Sequence, residues 1–287
     1  MGGGESVLAV LLAAASSMGY GVADFVGGLA TRRDTVLRVA ALTAPVSLVT
    51  ELLLLPLVSG RWTAAGLGWG ALAGIASGAA FALLYQSLAL GPMGVLSPVT
   101  AVVSAVLPAA VGIVQGDQLN AIGAVGIALA IVAVIAVSAG SKDDPGQRHR
   151  PSLAALGLAV AAGATIAAML VCLAQSPHDS GLAPLITCRA VSLVILLAAA
   201  ATRGQLGLPG QSAVGLAAGA GFFDAAANVA FLVAVRSGSL IVVAVITALY
   251  PGGTVLLARQ VLGERFSRVQ LAGLVTALTA VSILAVS

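Results

Sequence analysis

Run after run of about 20 residues in this sequence passes with almost no charged side chain, and that restricts the possible folds more than any other feature. Residues 65 to 89 and 120 to 140, for example, contain none. A helix rises about 1.5 Å per residue, so about 20 apolar residues cross the roughly 30 Å of bilayer hydrocarbon. The runs are continuous and do not alternate polar with apolar, which argues against a membrane β-barrel. Composition agrees: with 60% hydrophobic and 8% charged residues, a chain of 287 residues has too little polar surface for a water-soluble globule. The 35 glycines suit helices whose backbones approach closely in lipid, where small residues take the place of a hydrophobic driving force.

Ten spans can be drawn, at approximately 6 to 29, 35 to 58, 65 to 89, 93 to 114, 120 to 140, 152 to 175, 181 to 202, 211 to 235, 239 to 261 and 267 to 286. The polar segment 141–151, SKDDPGQRHRP, separates a first half at 1–140 from a second at 152–287. The halves resemble each other. An offset of 147 places Gly238 on Gly91, Thr247 on Thr100, Gly263 on Gly116 and Glu264 on Asp117, and an offset of 151 places Arg189 on Arg38. With five spans per half, the second copy lies upside down relative to the first. The expected fold is therefore all-α and polytopic, with ten transmembrane helices in two inverted five-helix repeats and a solute site near the midplane between them. The first apolar run lacks a basic leader and is expected to be a retained span.

Charge fixes expectations about orientation and partners. On the side opposite the termini lie Arg32, Arg33, Lys142, Arg148, Arg150, Arg203, Arg265 and Arg268; on the terminal side lie Arg61 and Arg236. If positive residues stay cytoplasmic, the termini are outside. The net charge of +3 is scattered over turns, with no basic run, so no nucleic-acid partner is expected. Cys172 and Cys188 fall within spans as apolar fillers, and no Cys/His spacing suggests a metal site. The absence of a phosphate-binding loop or catalytic triad makes an enzyme or an ATP-driven pump the weaker class, with no cofactor expected. Expected partners are a small-molecule solute and the lipid bilayer; protons as coupling ion, and a monomer or a homodimer, stay open.

Polar residues inside spans carry the functional expectation, because an ionised side chain there is costly unless paired, hydrated or protonated. Asp224 lies in the middle of span eight, with Asn228 and Phe231 four and seven residues on, on one helical face. It reads either as a solute or proton site or as a structural ion pair. Asp24 in span one has Tyr20 one turn earlier; it reads as part of a solute pathway or as an interfacial partner of Arg32 and Arg33. Glu51 calls for a partner on another helix. Arg38 and Arg189 either snorkel to the headgroups or act as internal charge partners of the acids. Pro98, Pro108 and Pro251 each free a backbone carbonyl, and Tyr250 beside Pro251 is either a cavity-lining aromatic or an interhelical hydrogen-bonder. Gly263-Glu264-Arg265 reads as a helix-ending turn.

The segments SLALGPMGVLSP, AVRSGSLIVVAV and, above all, LYPGGTVLLARQVLGERFSRVQLAGLVTALTAVSI, with a Pro in span nine followed by Leu-Gly-Glu-Arg, resemble the EamA family of the drug/metabolite transporter superfamily. The resemblance covers essentially the whole chain, although Gly116-Asp117-Gln118 stands where the family has Gly-Glu and Tyr20-Gly21 where Trp-Gly is common. It implies a secondary carrier of the cell membrane that exports or exchanges an amino acid, metabolite or drug by alternating access, with cytoplasmic termini, against the orientation the loop charges favour. A flippase for a lipid or lipid-linked precursor is the alternative. The expected lining residues are Tyr20, Asp24, Asp224, Asn228, Phe231 and Tyr250, between spans one, three, four, six, eight and nine.

Overall fold

A computed structural model describes residues 7–58, 60–91, 93–116, 121–138, 152–262 and 267–284. The linker 141–151, the Gly263-Glu264-Arg265 turn and Asp117-Gln118 lie outside the described residues. What is described is helical: α1 (Val7–Thr31), α2 (Val36–Leu54), α3 (Ala64–Leu90), α4 (Met93–Val114), α5 (Ala121–Ser138), α6 (Leu153–Ala174), α7 (Ala183–Thr202), α8 (Gln211–Ser237), α9 (Leu240–Thr247), α10 (Pro251–Leu262) and α11 (Arg268–Leu284), with short 3₁₀ turns at Leu55–Leu57 and His178–Ser180. Seven helical stretches among the described residues are long and apolar enough to cross a membrane.

Local chemistry explains where the helices start and stop. Thr63 and Ser152 turn their hydroxyls onto the Gly66 and Ala155 amides at 3.1 Å, and Ser239 caps Val242 in the same way. Gly91 and Gly238 end α3 and α8 in the same extended conformation, with φ of −162° and −160°. The apolar stretch expected at 239 to 261 is two helices. Pro251 has no amide to continue α9 and sits in the first turn of α10. The link Ala248–Tyr250 tightens into bonds three residues apart, from the Leu249 and Tyr250 amides to the Ile246 and Thr247 carbonyls.

Helices pack through small residues. Helix α1 lies along α8 and α3 along α6, α2 and α3 meet α7, α2 also meets α8, and α5 pairs with α11. The closest approaches come in reciprocal sets. A Cβ on Gly74 of α3 would stand 2.6 Å from the Cys188 carbonyl oxygen and 2.7 Å from Val191 Cβ; one on Gly221 of α8 would stand 2.5 Å from the Thr43 carbonyl oxygen and 2.9 Å from Val46 Cβ. Gly163 of α6 meets the Thr100 carbonyl and Val103 of α4, as Gly21 of α1 meets the Tyr250 carbonyl and Gly253. The first set relates Thr43 to Cys188 and Val46 to Val191, an offset of 145 for these two helices. On that register the counterpart of Arg189 is Ala44, so the pairing of Arg189 with Arg38 at 151 is not the one the contacts follow.

Large apolar side chains cover the outside, among them Leu11, Met18, Leu53, Ile75, Ile113, Val194 and Val275. Such a surface is matched by lipid, where apolar exposure carries no penalty. Trp62, exposed after α2, stands at a helix end, the position where an indole suits the headgroup layer.

Candidate functional site

The polar centre is built around Arg189, in the second turn of α7 and 1% exposed. Its Nη2 lies 2.7 Å from Asp224 Oδ2, its Nε 3.1 Å from Glu51 Oε1, and its Nη1 2.9 Å from Ser77 Oγ. The guanidinium carbon stands 5.3 Å from the centre of the Phe81 ring. Three helices thus aim acid, hydroxyl and aromatic groups at one cation: α2 through Glu51, α8 through Asp224 and α3 through Ser77 and Phe81. A planar guanidinium can serve two carboxylates and a hydroxyl at once, a role an ammonium point charge fills poorly.

Asp224 is enclosed by further partners. Ser47 Oγ lies 3.0 Å from its Oδ2 and 2.9 Å from the Gly221 carbonyl, and Asn228 Nδ2 donates to its Oδ1 at 3.2 Å and to its backbone carbonyl at 2.8 Å. Tyr20 then donates to Asn228 Oδ1 at 2.7 Å, tying α1 into the network.

A cavity with about 650 Å³ of atom-free space, open mouth included, borders this network. Its wall comes from α1 (Tyr20, Ala23, Asp24), α3 (Ser77, Ala80, Phe81, Leu84, Tyr85), α4 (Ser104), α6 (Ile166, Met169, Leu170), α7 (Arg189), α8 (Asp224), α9 (Ala244, Thr247) and the α9–α10 link (Ala248, Tyr250). Gly21 permits the close approach of α1 to that link: a Cβ there would lie 2.6 Å from the Tyr250 carbonyl oxygen. The rings of Tyr20 and Tyr250 meet edge to face at 6.4 Å.

The residues singled out from sequence separate into three groups. Tyr20, Asp24, Asp224 and Tyr250 border the cavity together with Arg189. Asn228 stands behind it, its amide spent on Tyr20 and Asp224, and Phe231 packs in the apolar core with Met169, Leu170 and Val243. Arg38 joins none of the inner acids. It sits in the first turn of α2, 39% exposed, and reaches Asp34 at 3.7 Å. Arg189 is too deep to snorkel, and Glu51 finds its partner on α7. Phe81, Tyr85, Ser104 and Thr247 also border the cavity and were not among the site residues expected from sequence. All three tyrosines of the chain border one cavity, a concentration that marks Tyr85 in retrospect.

Comparison with known proteins bears on this arrangement. Residues 152–286 match the model of the EamA-like transporter family. The second half of the chain is therefore similar to that family. No curated protein matches the chain. One crystal structure of a protein superposes with a TM-score of 0.70 at 12% identity, covering 96% of this chain and 95% of that one, a likeness of fold. That likeness and the seven described stretches long and apolar enough to cross a membrane agree with a multi-pass membrane protein. In such a protein the buried Arg189 cluster lies in the apolar interior, where charge is retained only in return for function or specific structure.

Proposed function

We propose that this EamA-like protein is a secondary carrier of a small organic solute, an exporter or exchanger of the cell membrane. On this reading it is built of ten spans in two inverted five-helix halves, with α9 and α10 forming a single broken span. The observation that carries the reading is the cavity at the meeting of α1, α3, α6, α7, α8 and the α9–α10 link, polar on the Arg189 side and apolar on the α6 side. A solute site in a carrier needs both: placed polar groups for orientation and apolar walls for the remainder. Two features support the inverted halves. The glycine contacts occur in reciprocal sets, α3 on α7 with α8 on α2, and α6 on α4 with α1 on the α9–α10 link. The broken span supplies part of the cavity wall, through Ala244, Thr247, Ala248 and Tyr250, as discontinuous helices do at carrier binding sites.

Alternating access then requires that the helices around the cavity move as groups. The Arg189 cluster binds α2, α3, α7 and α8 into one such group, while α1 joins it through Tyr20 and Asn228 and also touches the α9–α10 link. The α1 contact is therefore placed to rearrange when the solute enters. Proteoliposomes holding the purified protein are expected to show counterflow of at least one radiolabelled small solute from a panel of cationic, zwitterionic, anionic and neutral compounds. Arg189→Met is expected to abolish it. A full panel with no flux above protein-free vesicles overturns the reading.

A further inference from the structure

The charge in the cavity is unequally answered. Arg189 is held in ion pairs with Glu51 and Asp224, with Oδ2 of the latter also met by Ser47, although its Nη2 and Glu51 Oε2 make no hydrogen bond among the described residues. Asp24 is different. It is 7% exposed, it borders the cavity, and its Oδ2 is buried with no hydrogen-bond partner among the described residues. A hydroxyl bordering the same cavity shares that condition: Thr247 Oγ1, on a residue 2% exposed, also lacks a partner. Unmatched buried oxygens of this kind cost free energy and call for a donor that arrives from outside.

We propose that Asp24 and Thr247 bind the charged nitrogen of a protonated amine, so that the solute is an organic ammonium ion with an apolar tail. Formal charge selects the sign. One guanidinium faces Glu51 and Asp224, which leaves Asp24 without a cation of its own; a buried carboxyl in that position is ionised only with a cation beside it, so a cationic solute is the one it can pair with. The aromatic wall agrees, since the faces of Tyr20, Tyr85 and Tyr250 attract a cation through their ring quadrupoles. Two oxygens able to accept, the Asp24 carboxyl and the Thr247 hydroxyl, favour an ammonium that still carries N–H groups over a fully alkylated one. Ile166, Met169 and Leu170 on the α6 side offer the tail an apolar surface.

The proposal rests on the carrier reading above, and one experiment separates the two. Binding of 2-phenylethylammonium, 2-phenylethanol and 3-phenylpropanoate is measured at pH 7 by thermal shift in micelles, and flux of the same compounds in proteoliposomes. The ammonium is expected to stabilise the wild type and to be transported. In Asp24→Asn its dissociation constant is expected to rise about 10-fold or more, the loss of a charge-assisted bond, and in Thr247→Val about 3-fold. Asp24→Glu, which keeps the charge, is expected to recover part of the loss and serves as a check that the site still folds. Equal ammonium binding by the wild type and Asp24→Asn overturns the assignment, as does stabilisation by 3-phenylpropanoate equal to that by the ammonium, or by none of the three. Flux of the neutral or anionic compound without the ammonium sinks this inference and leaves the carrier reading standing. No flux of any compound in the wider panel sinks both.

Discussion

A buried ion pair is held less by its own attraction than by what its loss leaves behind. Removing Arg189 strands Glu51 and Asp224, each engaged with it at 3.1 Å or less, so Arg189→Met is expected to destabilise the folded protein by about 3–5 kcal/mol, read as a fall in the unfolding midpoint in micelles. Adding Glu51→Gln and Asp224→Asn to that variant removes the stranded charges and is expected to recover most of the loss. Asp24 makes the opposite case. Because its Oδ2 has no partner, Asp24→Asn removes a charge and no resolved hydrogen bond, and its unfolding midpoint is expected to match or exceed that of the wild type. At this scale the sequence showed which residues are exceptional, since ionisable groups in apolar runs are plain to see. It did not show who meets whom. Glu51 and Arg189 are 138 positions apart, and Tyr20 and Asn228 are 208 apart. Only the packing of α1, α2, α7 and α8 decides that Asp224 is occupied and Asp24 is not.

Between elements, the turns act as joints. Asp34, between α1 and α2, accepts from the Gly210 amide at 2.8 Å and the Thr35 amide at 2.6 Å, fixing that turn to the start of α8. These backbone donors, aided by Arg38, hold its carboxyl below the usual carboxylate range. The unfolded chain binds the proton at the ordinary value of about 4, so the joint is fully effective above that pH and is lost as pH falls through the lower folded value. Asp34→Asn is expected to lower the unfolding midpoint at pH 7 and to leave a smaller difference from the wild type at pH 3, by paired thermal scans. Helix contacts give a second expectation. Gly74→Ala and Gly221→Ala each push a methyl into a backbone carbonyl of the facing helix, with a loss of roughly 1–3 kcal/mol in each case. Similar losses at both positions are what reciprocal packing requires, and a large loss at one with none at the other would count against it. Helix lengths were legible from apolar runs, and Pro251 foretold a disturbance in span nine. That the disturbance is a complete break at Ala248–Tyr250 depends on Gly21, on a different helix, letting that link come close.

For the molecule as a whole, the membrane setting was legible from composition because the bilayer fixes helix length and polarity so narrowly. The glycine contacts agree with one of the two offsets read from the sequence and not with the other. The 147 offset relates Gly221 to Gly74, which make matching contacts, whereas the match of Arg189 to Arg38 came from residue identity and not from position in the packing. Orientation follows from which turns share a face. Asp34 bonds to Gly210 and Arg33 donates to the Ser212 carbonyl at 2.9 Å, so the α1–α2 and α7–α8 turns lie together, carrying Arg32, Arg33 and Arg203. The Arg61 amide donates to the Asp179 carbonyl at 2.7 Å, which brings the α2–α3 and α6–α7 turns together on another face; of these, the α2–α3 turn carries Arg61. Short cytoplasmic turns carry the excess of arginine and lysine. The three-arginine face is therefore expected to be cytoplasmic and the Arg61 face external, which puts the start of α1 outside, opposite to the orientation implied by the family resemblance. In a background with Cys172 and Cys188 replaced by alanine, a single cysteine at Trp62 is expected to react with a membrane-impermeant maleimide in intact cells, and one at Gln205 only after permeabilisation. The reverse pattern would overturn this orientation.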